Sequence, residues 1–386
     1  MRKYKYIIED ISGKVPLYDN ALYNSICAQC PDVPVQLLMP GKGLLSLIPS
    51  FLKGLKGSEN IVKRLIKVLE ALINYLYTLI RVTVCRPQVL HLQWLPFIEF
   101  ISGEEYVLKC LKRFSPETRI VLTIHNVYPH NMSDNAKKAY NNRFRNIIGL
   151  IDAFIVHTQI TKEDVVREFD INFENVYVCC HGVFEPKIEN IKVDRRVDGK
   201  LHILQFGGQS LYKGTDILVE AVCGLDKNRQ AFIETHIVGS ISQSFLDDLM
   251  KKDNDSIIQW KPCFLTDDEL YQEINKSDII VLPYRAISQS GVLLLSIYFE
   301  KLVICSDLPS FVETLRGGFD DMLDDCLFFK SENVQSLRDL LIRYIDNDID
   351  EQAVCDRIHK LKNKYSWNTA AKETLKVYNN ISKICN

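Results

Sequence analysis

Glycine and proline are sparse, 17 and 13 in 386 residues, which excludes a collagen-like or linker-rich chain. No stretch of about 18 uncharged apolar residues occurs, so a spanning helix is not expected. The nearest candidate, Ile61 to Val82, carries Lys63, Arg64, Lys67, Glu70 and Asn74. The opening MRKYKYIIEDISGK is basic, but Glu9 and Asp10 break its apolar run, so no secretory signal is expected. The 12 cysteines show no framework spacing. Cys27-x-x-Cys30 lacks a second pair, and Cys179-Cys180 sit in an apolar run, so reduced, buried thiols are expected rather than a metal or redox centre. Repeats and low-complexity segments are also missing.

What is present is ordinary globular composition, 47% apolar and 25% charged, at a length that suits two domains. The net charge of −2 hides a split. Residues 1–150 hold 20 Lys+Arg against 11 Asp+Glu, and residues 151–386 hold 27 against 38. A basic first half implies an anionic partner: membrane surface, nucleic acid or phosphorylated substrate.

Short β-branched and aromatic runs read as strands buried on both faces: Tyr4–Ile8, Val33–Leu38, Val89–Gln93, Ile120–Thr123, Ala153–His157 and Val176–Cys180. Helical patterns at 60–82, 104–114, 134–149 and 161–169 alternate with them. After the polar stretch 185–200 the alternation restarts, with strands at Ile203–Phe206, His236–Val238, Ile257–Lys261, Ile279–Pro283 and Val303–Cys305. Helical patterns at 333–346, 350–363 and 367–383 close the chain. The expected fold is α/β with parallel sheets. Its expected parts are a domain over 1–185, a linker over 186–200, a domain over 201–366, and a last helix over 367–386 that packs back on the first.

Two loops carry the chemistry. Gly207, Gly208, Gln209, Ser210 and Lys213 leave a strand and open a helix, where glycines admit close backbone approach and a lysine meets phosphate. Alone, this pattern fits a tight strand-to-helix turn equally well. The second loop, LPYRAISQSGV, places Tyr284, Arg285, Ser288, Gln289, Ser290, Gly291 and Val292 before another helix. Its free N–H groups from Ser290 to Leu293 would face the same side, where open parallel sheets bind ligands.

GGQSLYKG, followed about 75 residues later by LPYRAISQSGVLLLSIYFEKLVICSDLPSFVE, resembles the donor-binding half of nucleotide-sugar glycosyltransferases. The likeness is to glycosyltransferase family 4, and HLQW, TIHNVYPH, FIVHT, HGVF and the final YSWNTAAKETLKVY extend it over most of the chain. It implies a GT-B fold: two Rossmann-like domains facing across a crevice, the C-terminal helices crossing back. By this resemblance Lys213 contacts the donor diphosphate, His125 lies beside the transferred sugar, and Gly291 starts the helix capping the diphosphate. The departures are Gly208, where many members have an arginine, and Ser288 and Ser296, which occupy the two glutamate positions of the family's E-x7-E motif. Arg285 either replaces the missing cation or is a solvated loop residue. Ser12 and Gly13 lie in the loop after the first strand, which in this fold approaches the ligands or is a plain turn; Trp94 and Asn126 join that acceptor group. His91 and His157 read as packed structural residues.

The resemblance further implies retention of configuration, no covalent nucleophile and no metal or other cofactor; Asp324-Asp325 comes too late to be a DxD site. Residues 42–86 hold eight Lys/Arg and two Glu among apolar residues, which reads as contact with an anionic membrane through Lys53, Lys56, Lys63 and Lys67. The alternative is a helix that packs its apolar face on the sheet. The expected partners are a nucleotide sugar and a lipid-linked or oligosaccharide acceptor, at the cytoplasmic face of the membrane, with no nucleic acid. A catalytically silent GT-B subunit is the competing reading.

Overall fold

Every short apolar run between helical segments becomes a parallel strand in the computed structural model, which describes residues 4–39, 61–129, 132–183, 199–253, 255–287 and 289–383. The chain divides into two units, Met1–Gly182 with Trp367–Asn386, and Val183–Ser366. Most of the proposed linker, 186–198, lies outside the described residues, as do Lys53, Lys56 and Ser288.

The first unit runs β1 (Tyr6–Glu9), α1 (Pro16–Gln29), β2 (Val35–Leu38), α2 (Ile61–Cys85), β3 (Val89–Leu92) and α3 (Gly103–Phe114). It continues with β4 (Arg119–Thr123), α4 (Asp134–Ile148), β5 (Ala153–Val156), α5 (Gln159–Phe169) and β6 (Val176–Val178). The strands order β2-β1-β3-β4-β5-β6, all parallel, so the order reverses between β1 and β3. Ligands of open α/β sheets sit at such reversals, beyond the carboxyl ends of the strands.

In the second unit the elements are β7 (Leu201–Phe206), α6 (Thr215–Cys223), α7 (Lys227–Ala231), β8 (Ile233–Val238), α8 (Gln243–Met250) and β9 (Ile258–Lys261). Then come α9 (Asp267–Lys276), β10 (Ile279–Leu282), α10 (Gly291–Tyr298), β11 (Leu302–Ser306), α11 (Pro309–Arg316), α12 (Asp324–Leu327), β12 (Phe328–Phe329), α13 (Val334–Ile345) and α14 (Glu351–Lys364). The order β12-β11-β10-β7-β8-β9 reverses between β7 and β10, the two strands that carry the glycine loop and the serine loop. α15 (Trp367–Lys383) belongs to the first unit, where it packs on α1. Gly182 is required there: a Cβ would fall 2.4 Å from the Trp367 ring.

α2 is inside out. The side toward the sheet holds Ala71, Tyr75, Thr78, Val82 and Cys85, whereas Leu65, Leu69, Leu72, Leu76, Ile80 and Val84 face solvent, Leu65 at 65% exposure. The alternative reading, in which the face of Leu65, Leu69, Leu72 and Leu76 packs on the sheet, is therefore not what the structure shows. Polar partners beneath the helix explain why. Thr78 Oγ1 donates to Glu9, Tyr75 Oη donates to Glu104 at 3.2 Å, and Asn74 Nδ2 donates to the Ile11 carbonyl at 3.3 Å.

Burial raises the Glu9 carboxyl to about 8, with the Asp10 charge adding to it and the Thr78 hydrogen bond opposing it. Between the unfolded value near 4.5 and 8 the folded state holds the extra proton, so stability falls as pH rises through that window. Glu9→Gln removes this term. Its melting temperature is expected to match wild type at pH 5 and to exceed it by roughly 3–6 °C at pH 8; a constant offset across pH would contradict the protonated carboxyl.

Candidate functional site

In the second unit the turn after β7 is held by side-chain amides and glycines. Gln209 Nε2 donates to the carbonyls of Gly207 (2.9 Å) and Val238 (3.1 Å), and Thr215 Oγ1 donates to its Oε1 (2.8 Å). Gln209 is thus buried and fully used as a brace, which corrects its placement among the ligand contacts. Gly214 has φ +66°, and a Cβ there would fall 1.7 Å from the Pro283 carbonyl, so this glycine lets the two loops touch. Gly214→Ala is expected to separate them and to abolish donor binding in calorimetry, with a lowered melting temperature.

The loops converge on Lys213. Its Nζ lies over the Tyr284 ring at 5.2 Å, and a Cβ on Gly207 would sit 3.3 Å from it and 3.6 Å from Val292 Cγ2. The ammonium has no hydrogen bond or ion pair among the described residues, and burial lowers its pKa. Beside it α10 begins: Ser290 Oγ accepts from Leu293 N at 3.1 Å, which closes one of the N–H groups expected to be free. Gly291 opens onto empty space. A partnerless cation beside a helix N-terminus is a site for an anion.

Three expected contacts move. Arg285 donates to Asp216 through Nη1 (2.8 Å) and Nη2 (2.7 Å) and also bonds the Leu211 carbonyl, so it neither replaces the missing cation nor is solvated. Ser296 is fully buried, its hydroxyl donating to the Val292 carbonyl at 2.7 Å, so it braces α10. Tyr284 is buried beneath Lys213 and acts as its floor. Ser210 keeps a buried hydroxyl without a partner among the described residues, and Gly208 lies next to Ser240. Gln289 is half-buried in the serine loop.

In the first unit His125, His157 and His181 gather around Tyr18 of α1. Tyr18 meets His125, His181 and Trp367 at ring distances of 4.8, 5.0 and 5.1 Å. His91 is structural, bonded to Tyr378 Oη and Thr123 Oγ1 at 2.7 Å each. Burial lowers His157 to about 4 and His125 well below the usual imidazole value, so both rings are neutral at pH 7. Their tautomers follow. The Cys179 carbonyl can only accept, so His157 Nδ1 donates to it (3.0 Å) and its Nε2 must accept from His125 Nδ1 (3.2 Å). His125 Nε2 is then a bare lone pair, buried and without a partner among the described residues. His157, read from sequence as structural, sets the tautomer of His125.

The loop after β1 is built on buried Asp10, whose Oδ1 accepts from Ser12 N (3.0 Å), Ser12 Oγ (2.6 Å) and Gly13 N (2.9 Å). Gly13 takes φ +58° to complete the turn, so both residues shape the loop. Beyond it Lys14 Nζ lies 4.2 Å over the Trp94 ring and 2.6 Å from Glu99 Oε1. Trp94 in turn stacks on His125 at 5.9 Å. Lys14, Glu99 and Tyr18 went unremarked in the sequence because neither a motif nor apolar periodicity marks them. Among the described residues no three His, Cys, Asp or Glu side chains are grouped to hold a metal ion.

Residues 200–347 match the family model described as "Glycosyl transferases group 1". No curated protein matches the chain. Among solved structures it is similar to Alr3699/HepE of Anabaena in complex with UDP (10% identity, TM-score 0.63, 98% of this chain and 100% of that one). It is also similar to the sucrose-phosphate synthase of Thermosynechococcus elongatus (13%, 0.67, 99% and 100%). A third is the lipopolysaccharide outer core galactosyltransferase WaaB (12%, 0.62, 97% and 98%). Residues 200–347 are thus similar to a group 1 glycosyl transferase domain, and the chain as a whole shares the two-sheet GT-B fold of these structures.

Proposed function

We propose that this protein moves a sugar, with retention of configuration and without a metal, from a nucleotide sugar to a polyprenyl-diphosphate-linked intermediate of surface polysaccharide at the cytoplasmic face of the membrane. The observation that carries the donor half is Lys213, an ammonium without a partner among the described residues, beside the start of α10 at the strand reversal. Glycosyl transfer loads negative charge on the departing diphosphate, and a fixed cation with a helix N-terminus stabilises that charge. HepE, of similar fold, was solved with UDP. By the resemblance His125 attends the transferred sugar; its bare Nε2 would accept from a hydroxyl or amide and cannot donate a proton. A thermal-shift series with UDP-, GDP- and CDP-sugars tests the reading, because a ligand bound only by the folded state raises the melting temperature. If none does so, the donor assignment fails.

A silent subunit is favoured by one finding: with Arg285 locked to Asp216 and Ser296 in the core, nothing described replaces the family's arginine or glutamate. Donor binding without turnover on any acceptor would establish that reading instead.

The membrane half rests on α2. A helix that buries one side on the protein and still leaves a stripe of large aliphatics on the other is built to meet a second apolar phase. The anionic leaflet fits it best, because the surrounding segment 42–86 is strongly basic and the exposed large side chains are Leu, Ile and Val rather than the aromatics that mark protein interfaces. Its inner face is committed to the sheet, so the helix would lie in the interface instead of crossing the bilayer.

A further inference from the structure

The turn that carries Lys213 has little packing to hold it. Leu211–Lys213 is a single 3-10 turn without a buried residue, and the Leu211 and Tyr212 side chains are 61% and 47% exposed. Polar bonds to its backbone therefore set its place. Within the turn, Lys213 N donates to the Ser210 carbonyl and Gly214 N to the Leu211 carbonyl, both at 3.0 Å. From β7, Gln205 Nε2 donates to the Lys213 carbonyl at 3.1 Å. Two more bonds come from one residue of the serine loop. Arg285 N donates to the Tyr212 carbonyl at 2.8 Å, and the Arg285 guanidinium donates to the Leu211 carbonyl.

That guanidinium is aimed by Asp216 in the first turn of α6. Nη1 and Nη2 reach its two carboxylate oxygens at 2.8 and 2.7 Å, a fork in which neither group can turn without breaking both bonds. The loop behind Arg285 is anchored as well: Ser306 Oγ donates to the Tyr284 carbonyl at 2.6 Å, and the buried Tyr284 ring packs on Phe311 at 5.4 Å. The same ring is the floor beneath the Lys213 ammonium. Arg285 thus ties the turn that carries the ammonium to the loop that supplies its floor. We propose that Arg285, held by Asp216, is a positioning residue for Lys213, fixing the ammonium over Tyr284 without touching substrate itself. This rests on the donor-site reading for what Lys213 does and adds how it is held.

Two measurements on the full chain test it, the first without any ligand. In protein labelled with 13C-lysine, the Lys213 ε-methylene signal is identified by its absence in Lys213→Arg and should show the ring-current displacement of a group above Tyr284. In Arg285→Ala that signal is expected to move toward the position of a solvated lysine. Its titration should rise toward that of an ordinary lysine, because burial is what lowers it. Asp216→Asn keeps the shape, loses the charge and should move the signal the same way, so a misfolded Arg285 variant leaves the test intact. Arg285→Lys restores the charge without the fork and should not return the signal.

Calorimetry with UDP and with inorganic pyrophosphate is the second. Arg285→Ala should weaken both roughly fivefold or more when Lys213 is present, and by less than about twofold once Lys213 is alanine, since residues that act through one another are not additive. A pair that only stabilises the fold would cost the same in both backgrounds. A Lys213 signal unmoved in both Arg285→Ala and Asp216→Asn, or an equal loss of affinity in both backgrounds, would overturn the proposal. Lys213→Ala binding both probes as tightly as wild type would sink the donor reading, while a displaced Lys213 signal would keep the clamp. Should neither probe bind wild type, the donor reading falls and the ligand-free signal alone decides the clamp.

Discussion

Lys213→Ala lowers kcat/KM for nucleotide-sugar turnover by tenfold to over a hundredfold while the melting temperature of the free protein holds or rises slightly. The magnitude comes from a charge-assisted hydrogen bond, roughly 1.5–3 kcal/mol, at 1.4 kcal/mol per decade. The stability clause comes from the structure: the ammonium is half-buried, has no anionic partner among the described residues, and pays desolvation in the free protein. Burial lowers its pKa, so the free site loses its charge at lower pH than an ordinary lysine. An arriving diphosphate reverses that shift, and donor affinity should fall as pH rises through the lowered value. Lys213→Arg separates charge from shape. Gly207 leaves room for a slender Nζ beside Val292, and the larger guanidinium should recover less than a tenth of the loss. Unchanged kinetics and donor affinity in Lys213→Ala would remove the diphosphate from this loop.

The parallel strands were legible because they are buried on both faces, so Ile279–Leu282 and Ala153–Val156 read as continuous apolar runs. α1 was not. Its buried residues are Tyr18, Asp19, Leu22 and Ile26, one of them a carboxyl held at about 9 by burial and by neighbouring Asp10, and such a face has weak apolar periodicity. The first loop was located by its glycines, and Gly207 and Gly214 both take positive φ there. Which loop residues face a ligand was beyond the sequence. Gln209, Arg285 and Ser296 look like donor contacts, yet each is spent on a neighbour that only the fold supplies: Val238, Asp216 and the Val292 carbonyl. His157 shows the converse. Its role depends on the Cys179 carbonyl and His125 converging from β6 and β4, contacts 22 and 32 residues away.

Leu72→Glu, Leu76→Glu and Ile80→Glu together should cut binding to anionic vesicles by at least thirtyfold, with activity on a soluble short-chain acceptor unchanged. The three side chains are 52%, 58% and 52% exposed on the outer face of α2, so the substitutions leave its inner contacts to Glu9 and Glu104 in place. From Leu65 to Val84 the stripe is about 28 Å long at 1.5 Å per residue, enough to lie along an interface. Burying an aliphatic side chain is worth roughly 1.5–3 kcal/mol, and this part of the affinity is not screened by ions. The expected salt response therefore has two parts. The basic residues of 42–86 contribute roughly 1 kcal/mol each near an anionic leaflet, and raising salt removes that share. Neutralising Lys53, Lys56, Lys63 and Lys67, four of the eight basic residues, should reduce the salt-sensitive part alone, while the triple glutamate variant loses the salt-resistant remainder. Vesicle co-sedimentation at low and high salt resolves the two. A wild-type protein that stays in the supernatant with anionic lipid at low salt would show that this segment is just a basic helix, and the lipid-linked acceptor would lose its main support.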